Sequence, residues 1–191
     1  ESGKMKVRQG LFKFISTDAG KEQRISYASR RWPALEPLEP SDELTVLFVL
    51  AHDRDLDVST PAARSLLDYP AERALTALGG RLDPLVIKKI ISLFKDSEAI
   101  VIMAATNPCI DDETLKEIAS TGPEEAVVLL GEDTARLRKK PFLVDAIFRN
   151  PLTPGSLMAE LREIENNLHN ARGEDEEHEN VTRRELIEEH N

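Results

Sequence analysis

Prolines and paired glycines punctuate this chain at short, regular intervals, so no long element fits between them. Pro33, Pro37 and Pro40 come first, followed by Pro61, Pro70, Gly79-Gly80, Pro84, Pro108, Gly122-Pro123, Pro141, Pro151 and Pro154. Proline has no N–H to donate and clashes with the turn before it, so it suits a helix only in the first turn. Thr60-Pro61, Asp83-Pro84 and Thr153-Pro154 each place a capping residue before proline, which predicts three helix starts. The segments between breakers are apolar at i, i+3, i+4 and i+7. From Ser41, for example, Leu44, Leu47, Phe48 and Ala51 share one face, flanked by Val46, Val49 and Leu50. That width of apolar stripe predicts a helix buried on most sides.

The spacing predicts helices over 20–31, 41–52, 58–68, 70–78, 84–95, 97–106, 111–120, 123–131, 141–149 and 154–170, with a short turn over 133–139. Two-residue alternation is almost absent, so the fold class is all-α. The exception is the stretch from Lys4 to Ile15, where Met5 and Val7 alternate with charge and Leu11-Phe12-Lys13-Phe14-Ile15 is rich in strand formers. A strand, an amphipathic helix and an irregular arm all fit there. Gly79-Gly80 follows a helix and reads as a C-terminal cap with positive φ.

Charge divides the chain further. Residues 1–31 hold eight basic and three acidic groups, residues 174–191 two basic and eight acidic ones, and the 142 residues between them sum to −9. The run Gly173-Glu174-Asp175-Glu176-Glu177 repels itself and reads as a solvated tail, closed by a capping box from Thr182 to Glu185. The expected organisation is an N-terminal arm over 1–19, a helical domain over 20–170, and an acidic tail or linker over 171–191. A net charge of −10 argues against nucleic acid held by general electrostatics. No run approaches the roughly 18 apolar residues of a membrane span, so no membrane insertion is expected. Cys109 is the one cysteine; it supports no internal disulfide or thiolate metal site and fits a reducing, cytoplasmic compartment.

A chain of many short helices with few aromatics suggests stacked units, each too small to bury its own face. Asn107-Pro108, followed by Leu115 and Ile118, is matched at an offset of 43 by Asn150-Pro151, followed by Met158 and Leu161. In both copies a helix ends before the asparagine, a residue that tolerates left-handed geometry and satisfies neighbouring backbone groups. The stretches Ala105 to Ala119 and Phe148 to Arg162 resemble the leucine-rich-repeat variant. Its Asn-Pro-x-Thr-Pro turn is complete in Asn150-Pro151-Leu152-Thr153-Pro154, while Ile110-Asp111 replaces Thr-Pro in the first copy. Leu44 to Leu78 is similar to a HEAT-type unit, with Ala51-His52, an Asp53-Arg54-Asp55-Leu56-Asp57-Val58 turn, and then Ala62, Ala63, Leu66 and Leu67. The resemblance covers about 100 of the 191 residues and implies a short right-handed α-α superhelix.

That resemblance implies a non-enzymatic protein-interaction or scaffold module working through the exposed face of the stack. The expected partner is another protein or peptide, with acidic character one option and self-association another; no cofactor is expected. The alternative is an enzyme on a HEAT-like scaffold, of nucleic-acid repair or lyase type, whose mark would be a groove holding a buried carboxylate beside aromatic and basic groups. Candidate partner-binding residues are Trp32, in Arg30-Arg31-Trp32-Pro33, the basic cluster Arg136, Arg138, Lys139 and Lys140, and the turn residues Asn107 and Asn150. Asp53, Asp55 and Asp57 have calcium-loop spacing, but Val58 and Arg64 stand where glycine and glutamate are needed. They read as a cap for the next helix. His52, His169, His178 and His190 read as solvated helix-end groups, and no catalytic or metal-ligating residue is assigned.

Overall fold

A computed structural model describes residues 5–166 of the chain, and every described element is helical. A 3-10 turn (Gln9–Leu11) runs into α1 (Phe12–Ile15). Then follow α2 (Lys21–Ala28), α3 (Pro40–Leu50), α4 (Leu56–Leu67), α5 (Ala71–Leu78), α6 (Pro84–Leu93), α7 (Glu98–Thr106) and α8 (Asp112–Thr121). Beyond them lie α9 (Glu124–Glu132), α10 (Thr134–Lys139), α11 (Phe142–Arg149) and a helix over residues 155–166, here α12. The expected capping box and His169, His178 and His190 lie outside the described residues. No described helix is long and apolar enough to cross a membrane.

Aspartates set four of the helix starts by accepting an amide from the first turn. Asp55 accepts the Asp57 amide at 3.0 Å, Asp83 the Leu85 amide at 2.9 Å, Asp111 the Thr114 amide at 2.7 Å and Asp133 the Arg136 amide at 3.0 Å. Asp83 is followed by Pro84 in the first turn, as its spacing predicts. Pro61 departs from that expectation and lies inside α4. The Asp53-Asp55 turn starts α4 earlier, and the proline ring leaves the Asp57 carbonyl without its usual in-helix donor.

The chain divides into two compact units, Glu1–Ile118 and Ala119–Asn191. In the first, α2 packs on α4, α3 on α4 and α5, α5 on α7, and α6 on α7. Within the 4–15 stretch residues 5–8 are irregular and residues 9–15 helical, and the stretch folds into this unit: Leu11 and Phe14 are each only 2% exposed. They join Ala28, Val46, Leu50, Val58 and Ala62 in one core cluster. In the second unit α9 packs on α10 and α11. Gly131 in α9 gives way to α12 there, because a Cβ at that position would stand 2.7 Å from both Leu157 methyl carbons.

Asn107 and Asn150 close the ends of earlier helices, each within its own unit. The Asn107 side-chain amide donates to the Leu78 and Gly80 carbonyls at 2.6 and 2.9 Å, while its oxygen accepts the Cys109 amide at 2.8 Å. Asn150 repeats all three bonds, to Ala119 and Gly122 at 3.1 and 3.0 Å and from Leu152 at 2.9 Å. Neither asparagine is left-handed; their φ values are −69° and −75°. The expectation of positive φ at Gly79-Gly80 fails too, since Gly79 has φ −71° and no described glycine has positive φ. With the amide of Asn107 capping those carbonyls, the helix can end without a left-handed turn.

Candidate functional site

α2 ends in a Schellman turn whose left-handed position holds arginine rather than glycine. The Arg30 amide bonds to the Tyr27 carbonyl and the Arg31 amide to the Ser26 carbonyl, at 2.9 Å each. Arg30 has φ 61°, and no other described residue that is not glycine has positive φ. That geometry costs an L-residue about 1–2 kcal/mol, so neighbouring structure must hold it. Glu43 does so from the first turn of α3: its carboxylate, 1% exposed, pairs with Arg30 Nε and with Arg73 Nη2 at 2.6 Å. Tyr69 Oη donates to the same carboxylate at 3.4 Å, and the Arg30 guanidinium lies 4.8 Å from the centre of the Tyr69 ring.

The shared carboxylate sets the electrostatics. Burial first, and the Glu43 charge second, push the Tyr69 hydroxyl above its ordinary value; the bond to Glu43 raises Arg73. A raised tyrosine value means the fold favours the neutral phenol. Its contribution is therefore complete below pH about 10 and disappears as pH rises through the raised folded value. Tyr69→Phe should remove that alkaline component of the stability profile, which denaturant melts at pH 8 and pH 11.5 would read. An unchanged alkaline slope in the variant would mean Tyr69 does not titrate in this environment.

Beyond Arg30 the chain turns back, and Trp32 packs on Tyr27 (ring centres 6.0 Å apart, 12° between planes) and edge-on to Phe14 at 6.0 Å. Trp32 is thus half-buried in the N-terminal core. Its indole Nε1 and Arg73 Nε are both out of reach of water and have no hydrogen-bond acceptor, an unusual state for buried donors. An open depression of about 690 Å³ lies among these side chains, lined by Arg30, Arg31 and Arg73 with Trp32, Pro37 and Leu38. The exposed Arg31 guanidinium has no ion pair or hydrogen bond among the described residues.

The other expected contact residues lie elsewhere. Asn107 and Asn150 are 2% and 1% exposed, and each turns its amide group to the backbone in three internal bonds. Arg136, Arg138 and Lys139 lie on α10 and Lys140 caps its end, with Arg138 and Lys139 exposed and Arg136 and Lys140 half-buried. The aspartate turn is an ion-paired cap: Arg24 pairs with Asp53, and Lys21 with Asp55 at 2.9 Å and Asp57 at 2.7 Å. The bonds to Asp57 and Asp55 push Lys21 up to about 12, and Lys21 together with the Asp57 amide lowers Asp55. His52 hydrogen-bonds the Phe48 carbonyl at 2.8 Å, and Cys109 is half-buried.

Of the residues gathered here the sequence singles out Trp32 as a candidate and gives no sign of Glu43, Tyr69 and Arg73. The available signal was the arginine pair after Ser29, where a helix exit ordinarily carries glycine. Compared with protein-family models, curated proteins and solved structures, the chain matches none.

Proposed function

We propose that this chain is a non-enzymatic protein-interaction module of the helical-repeat kind, resembling HEAT and leucine-rich-repeat-variant proteins and working in a reducing, cytoplasmic compartment. Stacking is supported by helix neighbours in the first unit, where α3, α5 and α7 touch in succession and α2 touches α4. The asparagine clamp recurring at an offset of 43 supports it too. A short right-handed α-α superhelix is the arrangement such pairing builds when it continues.

The observation that carries the binding role is the depression beside Trp32, where the exposed Arg31 and the half-buried Trp32 line one open wall. Such a pairing of aromatic and arginine is the usual anchor of an interface. Affinity capture from native lysate by the intact chain should retain a saturable protein partner that Arg31→Ala/Arg73→Ala loses. A parallel variant with Arg136, Arg138, Lys139 and Lys140 all changed to alanine tests the basic cluster. Retention by that variant leaves the interface in the first unit, and loss of the partner there moves it to the second. A chain that retains nothing saturably is no interaction module.

One observation favours an enzyme on this scaffold. Glu43 is a buried carboxylate beside Tyr69, Trp32, Arg30 and Arg73. A general acid or base must come within hydrogen-bond reach of the proton it transfers, whereas Glu43 is only 1% exposed and its carboxylate is tied to Arg30, Arg73 and Tyr69. The interaction reading is therefore preferred. Turnover abolished by Glu43→Asp in a variant with unchanged melting would reverse that order.

A further inference from the structure

We infer that the partner is engaged as an extended peptide segment carrying carboxylates next to an apolar residue, laid along a track that crosses α4 and ends beside Trp32. This rests on the interaction reading and specifies what that site takes.

The track is a chain of three depressions that share residues. One of about 420 Å³ lies on the outer face of α4 between Ala51, Ala63 and Leu67, and includes Thr60 and Arg64. Thr60 and Arg64 also line a second, again about 420 Å³, which runs past Pro61 to Ser29 and Arg30. Arg30 in turn lines the third, the depression of about 690 Å³ beside Trp32. Continuity through shared walls gives the length of an extended segment rather than the enclosure of a small molecule.

The chemistry along the track is graded. At the α4 end Leu67 is 72% exposed, and Ala63 stands four residues before it on the same face. From there the charge is cationic: Arg64, Arg30, Arg31 and Arg73 against Asp68 and Glu43. Glu43 is already spent on Arg30 and Arg73. Arg31 and Arg64 are exposed and have no ion pair among the described residues. The protein as a whole carries −10, so a local excess of unpaired guanidinium marks a place where a carboxylate is favoured over the rest of the surface.

Random dodecamers displayed on phage and selected on the full-length chain test this. The selected peptides should carry at least two Asp or Glu beside a Leu, Ile, Phe or Met. As synthetic peptides they should quench or shift the fluorescence of Trp32, the chain's sole tryptophan. Affinity should fall roughly tenfold or more in Arg31→Ala/Arg64→Ala, a double substitution of exposed groups that leaves melting unchanged. It should also weaken between 50 and 300 mM NaCl, as screened charge contacts do. Selected peptides without acidic residues, bound equally by the double variant, would overturn the track while leaving the interaction reading intact. Failure to select any peptide, together with failure of the lysate capture, would overturn both. A concentration-dependent dimer that Leu67→Asp dissolves would assign the α4 end to a second copy and remove the peptide from it.

Discussion

Glu43→Gln should cost the first unit about 3 kcal/mol, seen as a lower denaturant midpoint and a melting temperature reduced by about 10 °C. The substitution keeps the shape of the side chain and removes the charge that two arginines share. Glutamine can accept one guanidinium bond at its oxygen, but its amide then presents hydrogens to the other arginine, donor against donor. Stripping one member from a buried charge cluster costs about 3–5 kcal/mol in general. The lower end applies here because the Arg73 and Arg30 side chains are 41% and 29% exposed and can turn partly toward water. Strain adds to the loss, since the left-handed Arg30 is held chiefly by this contact. A buried charge cluster of this kind is not expected to be a net source of stability, because desolvation offsets its attraction. Replacing all three charges together, as Glu43→Leu/Arg30→Met/Arg73→Met, should therefore recover much of the stability while ruining the depression. A double-mutant cycle between Glu43→Gln and Arg73→Gln should give a coupling of about 1 kcal/mol or more. Additive single effects would show that the pair does not form in solution.

The parts of this fold that local rules control could be read from sequence. Asp55 and Asp83 cap helices as their positions suggest, and the breakers separate helices close to where each one stops. Local rules fail where a distant group supplies what the local segment lacks. Gly79-Gly80 looks like a left-handed exit, yet the amide of Asn107, 27 residues from Gly80, does the capping. Pro61 looks like a helix start, yet the aspartate turn begins α4 five residues earlier. Glu43 reads as an acid favoured by the positive end of α3; its burial depends on arginines 13 residues before it and 30 after it. A charged residue in a first turn gives no sign of which side of the helix will be covered. The same holds for Asn107 and Asn150, whose repeat is visible in sequence while their inward direction is not.

Asn150→Ala should destabilise the second unit by about 2–4 kcal/mol, and Asn107→Ala should do the same to the first, because each asparagine serves three backbone groups at a buried position. Removing the Asn150 side chain strands the Ala119 carbonyl, which water cannot reach through the packed turn, and leaves the Leu152 amide without its acceptor. A buried polar group left unmade costs about 1–3 kcal/mol, and the partly exposed Gly122 carbonyl contributes less. Loss of the clamp also frees the turn that delivers Thr153, whose hydroxyl donates to the Ile147 carbonyl at 2.6 Å. Aspartate is the informative comparison. Asn150→Asp keeps the acceptor for the Leu152 amide, but turns two donor contacts into a carboxylate facing two carbonyls, so it should be at least as damaging as alanine near neutral pH. Lowering the pH through the carboxyl range should partly rescue it, since the protonated acid can donate to one carbonyl again. A ranking with aspartate close to wild type at pH 7 would show that the amide does not bridge these helix ends. Hydrogen exchange gives an independent reading: in Asn150→Ala the Leu152 amide should lose protection more than amides in the middle of α11. If the two asparagines are equivalent parts of one repeat, their single effects should be equal to within about 1 kcal/mol and should add in the double variant.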